Sequence, residues 1–260
     1  MVRVHLLTPR SLSLVVKHPA YIRHCLQIRE RHRFESCREY QFKSINRLML
    51  HTVISTNRSG SNTLCKYLSR MLNAVNLLEP ITDSRDSNGY ANIERIIKDI
   101  IVRSKHTDIV AKFHIDHLLE LYPTKMDVII ELLESSRRYY SIRENLTEQV
   151  KSVYAIEKTN VFDARFKTQH LTITSDRALH ISSSLTLYVG AMGEWFKQFP
   201  GKLCVLEVMS PMYTKAGLEK YADVYTFDYD SENTKRFVEQ NINLKYYFEQ
   251  GNPLYSLVGA

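Results

Sequence analysis

Apolar residues along this chain come in short blocks that alternate between two spacings. Leu48, Met49, Leu50, Val53 and Ile54 form a dense run, and apolar positions then recur at Leu64, Leu68, Met71, Leu72 and Val75. The first pattern suits a strand, and the second is one face of a helix. The alternation continues downstream. Ile93, Ile96, Ile97, Ile100 and Ile101 make a helical stripe, Asp108 to Phe113 predicts a second strand, and Leu118, Leu119 and Leu121 predict a short helix before Pro123. Met126 to Leu133 reads as a helix, Arg138 to Ile142 as a third strand, and Asn145 to about Lys158 as the helix after it. The polar stretch from Thr159 to Arg177 reads as a loop or lid. Ile181, Leu185, Val189, Met192, Phe196 and Phe199 mark a long helix that Pro200-Gly201 stops. Lys202 to Val208 predicts a fourth strand, Ser210-Pro211 a helix start, and Ser231 to Asn241 a further helix, with a loosely ordered tail from Gly251. Strands separated by helices imply βαβ units, hence an α/β fold with a mainly parallel central sheet flanked by helices. Ligands on such sheets sit at the carboxyl ends of the strands.

The junction after the first strand is the most informative. Arg58-Ser-Gly-Ser-Asn-Thr63 lies between the strand pattern and the helix pattern, where free backbone N–H groups and the positive end of a helix face an anion. Gly60 allows close backbone approach. Ser59, Ser61, Asn62 and Thr63 add hydroxyl and amide donors, and Arg58 brings a fork-shaped cation suited to phosphate or sulfate. The nucleotide-triphosphatase signature G-x-x-x-x-G-K-[ST] is not met. Asn62, not Lys, follows within the loop, and no glycine stands five residues before Gly60. The expected fold is therefore three-layered and P-loop-like, with a phosphate cradle of another kind. A plain Ser/Asn-rich turn with an ordinary N-cap is the alternative.

Charge divides the chain of 260 residues, whose formal net charge is +7. Ten of the 35 basic residues and three of the 28 acidic ones fall within residues 1–48, leaving 25 of each sign downstream. The basic character thus belongs to an arm, assigned to residues 1–47, and residues 48–260 form a neutral globular domain. The arm superficially resembles a transit peptide or a membrane- or nucleic-acid-touching amphipathic segment. The plainer expectation is a solvated helix from about Ala20 to Arg47. No stretch approaches the ~20 apolar residues of a membrane span, and no compact apolar signal core is present at the N-terminus. Cys25, Cys37, Cys65 and Cys204 show no ligand spacing, which points to reduced thiols and a cytoplasmic setting. Cys65 and Cys204 fall in apolar patterns and are expected in the core.

A second segment narrows the reading. Arg143 follows the third strand, and Ser152 stands nine residues on, in the helix. The pairing of Arg58-Ser-Gly-Ser61 after a strand with Arg143 and Ser152 across a later strand-to-helix junction resembles the PAPS-dependent sulfotransferases. It is most similar to the bacterial trehalose-sulfotransferase-like branch, with Gln149, Ser152 and Tyr154 in the matching pattern. The resemblance covers residues 48–160 well and 181–209 weakly. It implies that the first loop, Arg58 to Thr63, binds the 5′-phosphosulfate of PAPS and that Arg143 and Ser152 hold its 3′-phosphate. It also implies that PAP is the product, that no metal is required, and that the acceptor is a hydroxyl on a carbohydrate or glycolipid. A donor with phosphates at two separated positions independently asks for two anion sites at helix starts.

Two candidates stand for the base that takes the acceptor's proton. The resemblance nominates Glu79, 19 residues beyond Gly60 and read as the end of the cradle helix; the family's aromatic residues after this glutamate are absent from Leu77-Leu-Glu-Pro80. The other is His114 in Lys112-Phe-His-Ile-Asp-His117, just past the second strand, where a histidine can accept a proton near neutral pH. Lys112 and His117 are candidate substrate contacts there, and Arg58 is the leading cation for charge developing in transfer. Two competing functions remain open: a nucleotide or small-molecule kinase with a degenerate loop, and a nucleic-acid-binding module using the arm. The missing lysine opposes the first, and the even charge of residues 49–260 opposes the second. An oligomer is compatible with all of these.

Overall fold

A computed structural model describes residues 49–83, 92–159, 169–218 and 225–257. The basic arm, its expected helix, and Cys25 and Cys37 lie outside these residues, as does most of the polar stretch after Pro80.

Strand β1 (Leu50–Ser55) leads through a five-residue loop into helix α1 (Ser61–Leu72). Strand β2 (Val75–Leu77), the short helix α2 (Pro80–Asp83) and α3 (Ile93–Arg103) follow. Next come β3 (Ile109–His114), α4 (Ile115–Leu121), α5 (Met126–Glu134), β4 (Ser136–Ile142) and α6 (Leu146–Thr159). The rest is β5 (Gln169–Ile173), α7 (Ser175–Gln198), β6 (Lys202–Val205), α8 (Leu206–Lys215), β7 (Tyr225–Tyr229), α9 (Glu232–Val238), α10 (Leu244–Gln250) and a 3-10 turn at Pro253–Tyr255.

Five strands form one parallel sheet in the order β2-β3-β1-β4-β6. β1 and β3 are buried along their whole length, as strands covered on both faces must be. One face packs against α1 and α8: Val53 and Val110 meet Leu64, Cys65, Leu68, Leu206, Met209 and Tyr213. On the other face Tyr140 packs edge-on against Phe196 of α7 and Phe248 of α10. A Cβ at Gly193 would fall 1.8 Å from Phe248 O, so α7 and α10 approach as closely as they do only because position 193 lacks a side chain. The expected three-layer parallel α/β fold is present. Cys65 and Cys204 are buried free thiols, and burial pushes the Cys65 thiol up to about 12.

Several elements depart from the sequence reading. The cradle helix stops at Leu72 because Asn73 takes a left-handed conformation (φ 51°) and accepts the C-cap role, so Val75 belongs to an edge strand, not the helix. The expected fourth strand ends at Val205. Leu206–Val208 starts α8 instead, and Pro211 lies inside that helix, not at its start. An apolar run of that length suits either state, and packing of Leu206, Met209 and Tyr213 on the sheet selects the helix. The stretch read as a lid contains β5, which pairs in parallel with β7 to make a second, two-stranded sheet. The tail beyond Gly251 is tied down: the Trp195 indole N–H donates to Tyr255 O at 2.8 Å.

Candidate functional site

The chain runs from β1 to β2 and β3 on one side, then crosses to β4 on the other, so the strand order reverses at β1. In open parallel sheets such a reversal marks where ligands bind, here the carboxyl ends of β1 and β4. Register pairs Ser55 with His114 on one side and with Ser141 on the other, so three strand ends deliver their side chains at one level.

The cradle is built at this level. Arg58 (φ 61°) and Gly60 (φ 80°) are both left-handed, and for a non-glycine such as Arg58 this costs about 1–3 kcal/mol, strain that tends to persist at functional sites. A Cβ on Gly60 would come within 2.4 Å of Leu206 Cδ1, so glycine is required there both for its φ and for space. Gly60 is the N-cap of α1 and offers no side-chain acceptor, and the first turn holds no acid. The first amide N–H groups of α1 therefore face outward without an intrahelical partner. The loop is held from below. Ser59 Oγ donates to Thr56 O at 2.9 Å, and Ser141 Oγ donates to Ser59 O at 3.2 Å. Gln149, fully buried on α6, donates through Nε2 to Thr56 Oγ1 at 2.8 Å and to Asn57 O at 2.5 Å. Of the other cradle residues, Ser61 is buried, Thr63 half-buried and Asn62 exposed.

The two separately predicted anion segments meet. Arg58 Nε donates to Ser152 Oγ at 2.8 Å across 94 residues of sequence. Ser152 is one turn from Gln149 on the same face of α6, so that one face both braces the cradle and touches its cation.

Arg143 lies just past β4 and is 6 % exposed. Its Nη1 donates to Glu148 O at 3.2 Å, Nη2 is 3.5 Å from Glu148 Oε2, and Nε is 3.6 Å from Glu207 Oε1. That Nε is buried and has no hydrogen-bond partner. Glu207, in the first turn of α8, also accepts the backbone N–H of Glu144 at 2.9 Å and of Asn145 at 3.4 Å. The carboxylates around Arg143 are thus Glu148 and Glu207, not its sequence neighbour Glu144.

On the other side of β1 lies a third cluster. Glu79 stands after β2, at a strand end like the rest of the site, and not at the end of the cradle helix as expected. Lys112, 3 % exposed, donates to Glu79 Oε1 and, at 2.5 Å, to Asn62 Oδ1 in the first turn of α1. His114 Nε2 is 3.5 Å from the same Glu79 oxygen. The His114 and Lys112 contacts hold the Glu79 carboxyl far below the usual carboxylate range, against the opposing effect of burial. A buried lysine needs such a partner, because an unpaired charge there is strongly unfavourable. His114 Nδ1 is buried without a partner, as is Ser55 Oγ beside it on β1. His117 stacks edge-on against His114 with ring centroids 5.8 Å apart.

Most predicted site residues therefore lie at the carboxyl ends of β1, β3 and β4 or in the first turns they lead to, with Glu79 following β2 and Ser152 in the second turn of α6. The sequence reading did not select Ser141, Glu207 or Leu206, nor assign Gln149 a place in the site. The Gln149–Ser152 spacing on one helical face was the available signal for Gln149. Glu207 and Leu206 reach the site only through the fold.

No family model matches the chain, and no curated protein matches it significantly. Among solved structures it is similar to mouse sulfotransferase SULT7A1 complexed with PAP, with 11 % identity, 81 % of this chain and 66 % of that chain covered, and a TM-score of 0.40. The chain spans just under two thirds of that protein's length. Among the described residues, no helix is long and apolar enough to cross a membrane.

Proposed function

We propose that this chain is a sulfotransferase that moves a sulfuryl group from PAPS to a hydroxyl acceptor. The observation that carries the reading is the Arg58–Ser152 hydrogen bond, which joins the two anion segments of the sequence in one place. The buried Arg143 Nε, left without a hydrogen-bond partner, and the uncapped start of α1 fit a polyanionic ligand. The α1 N–H groups, Ser59, Ser61, Asn62, Thr63 and Arg58 would hold the 5′-phosphosulfate, and Arg143 and Ser152 the 3′-phosphate.

When bound, PAPS supplies the sulfuryl group, with the acceptor oxygen bonding to sulfur as the bond from sulfur to the 5′-phosphate oxygen breaks. The chain's residues do the rest. His114 takes the acceptor's proton at Nε2 once the acceptor hydroxyl replaces Glu79 at that nitrogen, the ring's own proton then lying on Nδ1, which is sealed within the fold. Glu79, already ionised and 3.5 Å away, stabilises the imidazolium that forms; its depressed pKa makes it a poor proton acceptor itself. Lys112 is the cation nearest this transfer, and Arg58 with the α1 N–H groups neutralises the charge left on the departing phosphate. His117, beside His114, is a contact for the acceptor. A carbohydrate or glycolipid acceptor follows from the sequence resemblance alone. Deleting residues 1–19 is expected to leave donor binding intact, and buried free thiols suit a cytoplasmic setting.

Calorimetry tests this reading. PAP is expected to bind without Mg²⁺ and ATP to bind poorly. Mg²⁺-dependent ATP binding with no PAP binding would replace the sulfotransferase reading with a kinase.

A further inference from the structure

The second anion pocket already holds an anion, one belonging to the chain. Glu207 accepts two consecutive backbone N–H groups, those of Glu144 and Asn145, and approaches a guanidinium that is more than nine-tenths buried. Paired backbone amides plus an arginine are the partners a phosphate would take at such a position. Glu148 also approaches this guanidinium, and its carboxylate is shared with Lys151 Nζ at 3.9 Å. A phosphate entering beside Arg143 would meet the charge of Glu207 unless that carboxylate withdraws. Glu207 is the one in the phosphate's place, because of the two it alone accepts the Glu144 and Asn145 amides. Its neighbour Leu206 packs on Gly60, so the first turn of α8 touches both anion loops at once.

We infer that Glu207 is a specificity-determining residue of the donor site, its carboxylate occupying in the ligand-free protein the place and partners of the donor's 3′-phosphate. The inference rests on the PAPS reading above. Glu207 lowers affinity for any ligand carrying that phosphate and leaves ligands without it unaffected. It thereby sets how strongly the site prefers a 3′,5′-bisphosphate over a 5′-monophosphate.

The test is calorimetric titration of wild type and Glu207→Gln with PAP and with adenosine 5′-phosphate. Glutamine keeps the shape and an acceptor for the two amides while removing the charge. PAP affinity is expected to rise on the order of tenfold, the effect of relieving one close like-charge contact, with adenosine 5′-phosphate affinity unchanged. Glu207→Ala gives the same rise in the PAP to monophosphate ratio if the glutamine variant folds poorly. An unchanged ratio while wild type binds PAP would overturn the role of Glu207 and leave the donor reading standing. Failure of wild type and both variants to bind PAP would overturn both.

Discussion

The two flanks of β1 share a strand but are built differently. On the β3 flank, Glu79, Lys112 and His114 satisfy one another in a compact cluster that is tied to the cradle through Asn62. On the β4 flank, Ser141, Gln149 and Ser152 brace the loop and its cation, and Arg143 is flanked by the carboxylates of Glu148 and Glu207. The first flank holds a titratable ring beside an ionised carboxylate, an arrangement for moving a proton. The second holds donors and cations with no such ring, an arrangement for gripping phosphate. On the proposed function the two flanks serve binding and chemistry separately, so the two should come apart under mutation.

The largest separation is expected at His114. His114→Ala should lower turnover at saturating PAPS by on the order of 10²–10⁴ while PAP affinity survives, and Arg143→Ala should do the reverse, weakening PAP by about 1.5–3 kcal/mol for a lost charge-assisted contact. Loss of PAP binding in His114→Ala would erase the distinction between flanks.

Gly60→Ala probes the point both flanks depend on. The left-handed φ and the overlap with Leu206 should destabilise the fold by about 1–3 kcal/mol and weaken PAP. A variant with wild-type melting temperature and PAP affinity would show the cradle geometry to be dispensable.

The smallest effect concerns pH and belongs to the β3 flank alone. Because the folded protein holds the Glu79 carboxyl below its ordinary value of 4.5, its contribution is fully present above that pH and is lost as pH falls below it. Glu79→Gln should therefore melt below wild type at pH 7, with the gap closing as pH drops through and beneath 4.5. A gap constant with pH would mean that the Lys112 and His114 contacts do not depend on the carboxylate charge.

The parts of this arrangement that were legible in the sequence are those encoded locally. β1 and β3 lie in apolar runs and β4 carries Tyr139, Tyr140 and Ile142, each with a helix after it, and Gly60 with its polar neighbours marks the cradle. Arg143 and Ser152 are linked by a spacing within one strand-to-helix unit. What escaped the reading depends on distant partners. β2, β5 and β7 are short, three to five residues each, and although Tyr225, Phe227 and Tyr229 of β7 alternate with polar residues, so brief a pattern does not name the partner strand it needs. α10 buries only Leu244 and Phe248, one spacing that chance supplies readily. Glu79 moved from a helix end to a strand end because Asn73 ends the helix early. The electrostatic state of Arg143 depends on Glu207, which lies 63 residues from the Glu144 amide it caps and becomes its neighbour only when β4 pairs with β6.

The central claim is that the cradle at Gly60 and the pocket at Arg143 and Ser152 grip the two ends of one adenosine bisphosphate. A crystal structure of the PAP complex tests it most directly. The account predicts the 5′-phosphate on the first N–H groups of α1, the 3′-phosphate against Arg143 and Ser152, and the Glu207 carboxylate displaced. PAP bound elsewhere, or with only one phosphate touching either loop, would contradict it.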